Sequence, residues 1–274
     1  MCTLTFSPQP SGFLVVMNRD EQRSRVAAHP PVARRLGERS VLHPSEPGGG
    51  TWIGINDSGA VFALLNWYSV PQRPLTRPRS RGTVVTALLT ESDPDRAGHR
   101  CAALGLEHLQ PFRVVGIFPS AASGAIREWR WDGQRLAACD HPWQRRHWIS
   151  SGADEPGAER ERSRCFQRHS TEPDHGSLPW LQRLHASHEP DAGACSICVH
   201  REDAATVSQT RVGWAHAAGW MEYVDGSPCE ETKAPNRIAW PAAAFTVAVE
   251  TAQGDQPAGC EHGIDLATAR ERWR

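Results

Sequence analysis

Residues 2–20 read CTLTFSPQPSGFLVVMNRD, and this stretch decides the fold. Its first five residues alternate between apolar and polar side chains, which is typical of a half-buried strand. A cluster of proline, serine and glycine follows, which indicates a turn, and a second extended apolar run then ends in Asn-Arg-Asp. The sequence therefore predicts a hairpin that brings Cys2 close to Arg19 and Asp20, because antiparallel strands place the start of one opposite the end of the next.

Cys2 directly follows the initiator methionine, which is normally removed when the next residue is small. We therefore expect a mature chain that begins with Cys2 and carries a thiol and an α-amine on one residue. An α-amino group has a pKa of roughly 7.7 to 8, so it can act as the base for the thiol, whose thiolate is the nucleophile. The alternative is that Cys2 is a small apolar residue that opens an edge strand.

The overall composition narrows the class of protein. The chain has 274 residues, 30 Lys and Arg, 31 Asp and Glu, and a formal net charge of -1. This balance gives no basic field for nucleic acid or for anionic lipid. No run approaches the roughly 20 apolar residues of a membrane span, and the N-terminus lacks the pattern of a signal peptide. We expect a single domain over residues 1–274 and a cytoplasmic location.

The eight cysteines show no repeating framework, which predicts free thiols in a reducing compartment. Residues 195–198 read CSIC, but no second CxxC or HxxxH follows at zinc spacing, so we interpret residues 195–200 as a buried strand. His185 and His188 do not form an HExxH motif and are interpreted as a solvated helix end. No metal site is predicted.

The remaining pattern predicts antiparallel sheets covered by helices, an α+β fold. Residues 48–56 and 60–67 form a second hairpin around Asp57-Ser58-Gly59, with Asn56 and Asn66 at its ends. The stretch before this hairpin is interpreted as a loop rich in proline and arginine. The other predicted elements are helices over 82–90, from Asp93 towards Leu109, over 155–168, 178–188 and 264–274, and strands over 113–118, 125–131, 134–139, 147–151, 206–214, 219–225 and 245–250.

The chain contains the motifs Met1-Cys2-Thr3, Asn18-Arg19-Asp20-Glu21, residues 49–55 (GGTWIGI), Gly59, Ala63-Leu64, Asn66 and Arg81-Gly82. These motifs resemble the NRDE family, whose animal members are called transport and Golgi organisation protein 2. The resemblance implies membership of the N-terminal nucleophile hydrolases, whose fold is a four-layer αββα sandwich of two antiparallel sheets between helices. Choloylglycine hydrolases and penicillin V acylases of that group begin with cysteine and place an arginine and an aspartate after the first hairpin.

The catalytic roles follow from charge and from this resemblance. Cys2 is expected to attack an amide carbonyl while its α-amine takes the thiol proton, and Arg19 to lower the thiol pKa. Asp20 is expected to orient the amine or hold Arg19, and Asn66 or Asn56 to donate to the oxyanion. The alternatives are a structural Arg-Asp salt bridge and asparagines that only close turns.

Substrate contacts are expected from Asn18, Trp52, Asn56 and Trp67, with the tryptophans as apolar walls. The chain departs from the family at residues 149–151 (ISS), where Ser151 stands in place of an asparagine that related hydrolases use near the oxyanion.

Two functions stay open at this point. The first is an amidohydrolase that acts on a non-peptide C–N bond of a small molecule and needs no cofactor. The second is a carrier of haem or another hydrophobic ligand on the same scaffold, with Cys2 or a histidine as axial ligand. The family itself leaves both open, because its animal members are tied to Golgi organisation, lipid metabolism and the movement of haem.

Overall fold

The N-terminal hairpin forms between β1 (Cys2–Gln9) and β2 (Gly12–Gln22). Its register places Cys2 opposite Arg19 and Gln9 opposite Gly12. Only Pro10 and Ser11 remain in the turn, so both strands are longer than predicted. The predicted proximity of Cys2 and Arg19 is therefore a direct consequence of strand pairing.

This computed structural model describes residues 2–121, 124–230 and 235–240. The chain divides into two compact units, residues 1–243 and 244–274, and the second lies outside the described residues. The strand predicted over 245–250 and the helix predicted over 264–274 also lie outside them. A single domain over 1–274 stays a prediction.

Within the described residues, the first antiparallel sheet has six strands, and β1 lies inside it between two neighbours. Cys2 is therefore not on an edge strand, because a further strand, residues 146–150, pairs with β1 on its other side. In spatial order the strands are β10 (Arg146–Ser150), β1, β2, β11 (Ala204–Ala215), β12 (Ala218–Asp225) and β13 (Asn236–Trp240).

The second antiparallel sheet has seven strands among the described residues and follows the chain order without a crossover. The strands are β3 (His29–Leu36), β4 (Arg39–Ser45), β5 (Ile53–Asn56), β6 (Val61–Asn66), β7 (Phe112–Phe118), β8 (Ala125–Trp131) and β9 (Leu136–His141).

Helices cover the outer faces of both sheets. Helices α1 (Gly82–Leu88) and α2 (Pro94–Ala102) pack on the second sheet, and α3 (Glu155–His169) and α4 (Leu178–His185) pack on the first. Asp93 caps α2, since its side chain accepts hydrogen bonds from the first helical N–H groups. Short 3₁₀ turns lie at Leu106–His108 and Pro228–Glu230. No helix in the described part of the chain is long and apolar enough to cross a membrane.

Three buried clusters give the order of the layers. Leu4 and Met17 of the first sheet pack with Ile55 and Val115 of the second, between the two sheets. The second cluster joins the outer face of the seven-stranded sheet to α1 and α2, and the third joins the outer face of the six-stranded sheet to α4. The predicted four-layer αββα sandwich is thereby confirmed.

Three local predictions are wrong. Residues 29–45, predicted as loop, contain β3 and β4, because pairing with β5 overrides the weak strand pattern of a proline-rich segment. Residues 195–200 form no strand and contribute only an isolated bridge from His200 to Ala205. The helix that Asp93 starts ends at Ala102 rather than near Leu109.

Gly12 allows close approach of β2 and β11. A Cβ atom at this position would overlap the carbonyl oxygen of Trp214, which belongs to the backbone of the neighbouring strand and cannot rotate away. Gly48, in contrast, lies in an exposed loop, and a Cβ atom there would meet nothing within 4 Å.

We expect Gly12→Ala to lower the free energy of unfolding by about 1–3 kcal/mol, since the added methyl group forces β2 and β11 apart. Urea unfolding followed by tryptophan fluorescence measures the change. Gly48→Ala is the control and should stay within about 0.5 kcal/mol of the wild type. Equal stability of the two variants would contradict the close approach.

Candidate active site

A pocket of about 260 Å³ opens where the start of β1 meets the end of β2 and the residues that precede α1. Cys2 and Arg19 line it from the first sheet, and Asn66 lines it from the second. Strand pairing places Cys2, the first residue of β1, opposite Arg19, and Asn66 is the last residue of β6 in the other sheet. The other lining residues are Asp20, Glu21, Arg25, Glu46, Thr51, Trp52, Leu64, Arg79, Ser80, Arg81, Gly82 and Gln110.

The Cys2 side chain is 8% exposed and belongs to the apolar cluster between the sheets. Burial raises the pKa of the Cys2 thiol, the nearby Asp20 carboxylate raises it too, and the positive charge of Arg19 lowers it. Burial has the largest effect, so the net pKa lies above the ordinary value. The sequence-based expectation that Arg19 makes the thiol acidic is corrected here: Arg19 acts in the expected direction, but desolvation outweighs it.

Arg19 is held by carboxylates that the sequence analysis did not single out. Its Nη2 donates to Glu46 Oε1 at 2.8 Å and lies 3.5 Å from Glu21 Oε2. Arg25 bridges the same two carboxylates at 2.7 Å each. The Arg19 guanidinium also lies over the Trp52 ring, 4.6 Å from the centroid, where a cation–π interaction is favourable.

Asp20 contacts the layer of α3. Its Oδ1 accepts a hydrogen bond from Thr206 Oγ1 at 2.7 Å, and its Oδ2 lies 3.5 Å from Nη1 of Arg162. Glu46 also holds Arg19, and the predicted role of Asp20 in holding Arg19 stays a prediction. The other role, orienting the α-amine, stays a prediction. Asp20 directly follows the strand partner of Cys2, on the side where the amine would be released.

Asn66 and Trp52 lie at the pocket as predicted. The Asn66 amide donates to Tyr68 Oη at 2.8 Å. The Trp52 indole N–H is buried and has no hydrogen-bond partner among the described residues. Trp67 is not a lining residue, and its backbone N–H donates to the Pro111 carbonyl at 3.3 Å.

Asn18 lies on the opposite face of β2 from Cys2 and Arg19. Its amide donates to the carbonyls of His185 at 2.8 Å and Ile197 at 3.0 Å, and its Oδ1 accepts from Gln209 at 2.9 Å. Asn18 was predicted to contact the substrate, but it does not line the pocket. The reason is strand alternation, which turns neighbouring side chains to opposite faces. His185 is itself fully buried, so the predicted solvated helix end is wrong there, and burial lowers the pKa of its imidazole to about 3.

Asn56 closes the turn between β5 and β6 and does not line the pocket. Its amide donates to the carbonyls of Leu89 at 3.1 Å and Glu91 at 2.7 Å. Its Oδ1 accepts from both Ser58 donors and from the Ala60 N–H. The oxyanion and substrate roles considered for Asn56 are therefore corrected to a structural one.

Ser150 and Ser151 occupy the region where related hydrolases carry an asparagine. Ser150 is the strand partner of Cys2, and its Oγ is buried without a hydrogen-bond partner among the described residues. Ser151 is also buried, and its Oγ accepts from the Asp154 N–H at 3.5 Å. The free hydroxyl beside Cys2 is thus at Ser150, which the sequence analysis missed because only the register identifies the partner of Cys2.

Arg81 brings a further positive charge to the pocket. Its Nη1 donates to the Pro111 carbonyl at 3.1 Å, and it forms no ion pair with any of the residues described. Burial lowers the pKa of its guanidinium, although the group stays charged at neutral pH. Gly82 permits the close approach of this segment, because a Cβ atom there would lie 2.8 Å from the Thr51 nitrogen.

The described residues form two antiparallel sheets between layers of helices, and Cys2 is the first residue of the first strand. Residues 1–123 match the family model described as Transport and Golgi organisation 2, which confirms the resemblance to the NRDE family.

Solved structures of similar fold include two hydrolases. A mutant of conjugated bile acid hydrolase from Clostridium perfringens is 11% identical, with 88% of this chain and 92% of that chain covered and a TM-score of 0.48. Penicillin V acylase from Agrobacterium tumefaciens is 12% identical, with 87% and 85% covered and a TM-score of 0.46. None of the curated proteins compared with the chain is similar to it at a significant level.

We expect Asn56→Ala to lower the free energy of unfolding by about 2–4 kcal/mol, because it leaves buried backbone groups without partners. The labelling rate of Cys2 in the folded protein should not change. Asn66→Ala is the control, since it removes the hydrogen bond from a partly exposed side chain to Tyr68 and should cost about 1 kcal/mol or less. Urea unfolding measures both, and an equal cost for the two would contradict the structural role of Asn56.

The raised thiol pKa predicts how alkylation of Cys2 depends on pH while Met1 is retained. The thiolate is the reactive form, so the rate of alkylation by iodoacetamide should rise with pH. The midpoint of this rise should lie above the ordinary thiol pKa of about 8.5. Arg19→Met should move the midpoint further up, because it removes the charge that favours the thiolate. The protein is produced while methionine aminopeptidase is inhibited, so that Met1 is retained. Peptide mapping at each pH then gives the rate of Cys2 alkylation.

Exposed Cys139 serves as the internal reference in this measurement, and Arg100→Met, an exposed substitution on α2, is the matched control. A Cys2 midpoint at or below the ordinary value would show that burial does not dominate.

Proposed function

We propose that the protein is an N-terminal-cysteine amidohydrolase that acts on the non-peptide C–N bond of a small molecule. The observation that carries this proposal is the position of Cys2, which lines a charged pocket directly opposite Arg19. A purely structural cysteine would have no need of a buried arginine fixed by two carboxylates. Arg19 is 5% exposed, and such a charge requires partners to remain buried.

The reaction begins with the loss of Met1, which frees the α-amine of Cys2. This amine accepts the thiol proton as Sγ attacks the carbonyl carbon of the amide and the carbonyl π electrons move to oxygen. The amine then returns the proton to the leaving nitrogen, the C–N bond breaks, and a thioester remains on Cys2. Water, deprotonated by the same amine, attacks the thioester, so the acid leaves and the thiol is restored.

The buried environment of Cys2 favours proton transfer that is concerted with attack. Because desolvation raises the pKa of the thiol, a persistent thiolate is disfavoured and the amine has to act as base during the reaction. Arg19 stabilises the negative charge that develops on sulfur. Its own position is fixed by Glu46, so little reorganisation accompanies the charge.

Two groups can donate to the tetrahedral oxyanion. Asn66 has a second amide hydrogen besides the one that Tyr68 accepts, and its side chain lines the pocket. Ser150 has a hydroxyl without a hydrogen-bond partner in the described part of the chain and stands opposite Cys2 in the sheet. A donor preset in this way contributes a few kcal/mol to stabilisation of the transition state.

The charge distribution of the pocket favours a substrate that carries a carboxylate. Arg19 and Arg25 are neutralised by Glu21 and Glu46, whereas Arg81 has no carboxylate partner among the described residues. The pocket volume, about 260 Å³, suits a small acyl or amine group. An N-acyl amino acid, which combines an amide with a free carboxylate, is therefore the substrate class of first choice.

The test is hydrolysis of a panel of N-acyl amino acids and their uncharged amide analogues, with products measured by liquid chromatography and mass spectrometry. The enzyme preparation should first show loss of Met1 by intact mass. We expect Cys2→Ala to reduce kcat/KM by at least about 1,000-fold, since it removes the nucleophile. Cys139→Ala, which changes an exposed cysteine on β9, is the matched control and should retain full activity.

The same panel tests the role of Arg81. Arg81→Met should raise KM for carboxylate-bearing substrates by about tenfold and leave the uncharged analogues unchanged, because one charged contact is lost. Retention of Met1, or equal turnover by the wild type and Cys2→Ala, would overturn the hydrolase proposal. The carrier of haem or another hydrophobic ligand, the other function open from the sequence, stays a prediction.

A further inference from the structure

Four metal-ligating side chains converge on the far side of the first sheet, outside the pocket of Cys2. They are His188, which follows α4, Cys198 and His200 in the irregular segment before β11, and Cys229 in the 3₁₀ turn after β12. One ligand atom from each lies within 4.8 Å of the others. We propose that these four residues form a structural zinc site.

The distances among three of the four ligand atoms are close to those of tetrahedral coordination. Bond lengths of about 2.3 Å for Zn–S and 2.0–2.1 Å for Zn–N imply separations of about 3.8 Å between two sulfurs and about 3.6 Å between sulfur and nitrogen. Cys198 Sγ lies 3.6 Å from Cys229 Sγ and 3.6 Å from His200 Nε2. His200 Nε2 lies 3.1 Å from Cys229 Sγ. These three atoms need shifts of only a few tenths of an ångström to bind one zinc ion, and the ligand atom of His188 lies within 4.8 Å of each of them.

The donor set also has the right chemistry. Two thiolates and two imidazoles form the Cys₂His₂ combination that is typical of structural zinc, and four protein ligands leave no open position for a substrate. The imidazole of His188 packs edge-on against that of His200, with ring centroids 5.0 Å apart. His188 is exposed, which gives a metal ion access from solvent, whereas Cys198 is buried.

The two cysteines are not joined by a disulfide here, because their sulfurs lie 3.6 Å apart and a disulfide has a sulfur–sulfur distance near 2.05 Å. Both are free thiols in the structure. Coordination gives a reason for placing two thiols and two imidazoles in contact, since neutral thiols are weak hydrogen-bond donors.

The site would fix a long segment that lacks regular structure. Residues 186–203 connect α4 to β11 with an isolated bridge from His200 to Ala205, and Cys229 lies 31 residues beyond Cys198. A metal that joins His188, Cys198 and His200 to Cys229 would hold both ends of this segment against the sheet.

Two hydrogen bonds connect residues 186–203 with Asp20, which lines the pocket of Cys2. The backbone N–H of Val199, next to Cys198, donates to Thr206 Oγ1 at 2.8 Å. Thr206 Oγ1 in turn donates to Asp20 Oδ1 at 2.7 Å. Loss of the metal would therefore loosen a contact of Asp20, although the zinc site itself takes no part in the proposed hydrolysis.

The sequence analysis predicted no metal here because the ligands fit no known spacing. The CxxC pair of Cys195 and Cys198 does not act as a unit: only Cys198 belongs to the cluster, and its sulfur partner is Cys229. The separations of 10, 2 and 29 residues between successive ligands correspond to no zinc motif.

The test uses the full chain, expressed with zinc, and then the metal-free protein titrated with cobalt(II). We expect one zinc per chain by mass spectrometry of the metal, and tetrahedral cobalt(II) bands with thiolate charge-transfer absorption on titration. Cys198→Ser and Cys229→Ser should each weaken cobalt binding by at least about 100-fold. Cys195→Ser is the matched control, since it changes the other cysteine of the CxxC pair and should bind normally.

Cys2→Ser serves as a second control that excludes binding at the pocket. The titration of the wild-type protein tests the proposal even if a ligand variant fails to fold. Absence of stoichiometric zinc or cobalt from the wild type would overturn it, as would equal binding by Cys198→Ser and Cys195→Ser. A disulfide between Cys198 and Cys229, found by peptide mapping of the freshly purified protein, would also overturn it.

Discussion

The antiparallel pairing of β1 with β2 is the constraint on which the rest of the molecule depends. It sets Cys2 opposite Arg19 and divides the side chains of both strands between two faces. One face, with Leu4 and Met17, fills the space between the sheets, and the other, with Asn18, meets the layer of α3 and α4. A slip by one residue would exchange the two faces, so burial on both sides fixes the register.

Burial and charge act in opposite directions on the candidate nucleophile. The apolar layer between the sheets raises the pKa of the Cys2 thiol, and Arg19 lowers it. Arg19 can remain charged in this position because Glu46 and Glu21 neutralise it, with Arg25 joining the two carboxylates. In the proposed hydrolysis, the same burial that stabilises the sandwich makes a base necessary, and the α-amine of Cys2 is the base that the proposal assigns.

Asp20 connects the pocket with the layer of helices. It contacts Arg162 of α3 and Thr206 of β11, and Thr206 is bonded to the backbone of Val199 beside the proposed zinc ligands. The two proposals thus concern separate clusters, which one path of hydrogen bonds connects through Thr206 of β11 and Asp20 of β2. Either can fail without the other, because the zinc ligands do not line the pocket and Cys2 does not belong to the zinc cluster.

The sequence by itself determined the features that depend on short-range physics. Alternation and turn chemistry fixed the hairpin of residues 2–20 and hence the pairing of Cys2 with Arg19, and Asp93 marked the start of α2. Only the tertiary structure decided that Glu46 holds Arg19, that Asn56 closes a turn, and that Cys198 meets Cys229. These contacts join segments far apart in the chain, and no local pattern encodes them, because the stacking of two sheets and their helices determines which distant side chains come together.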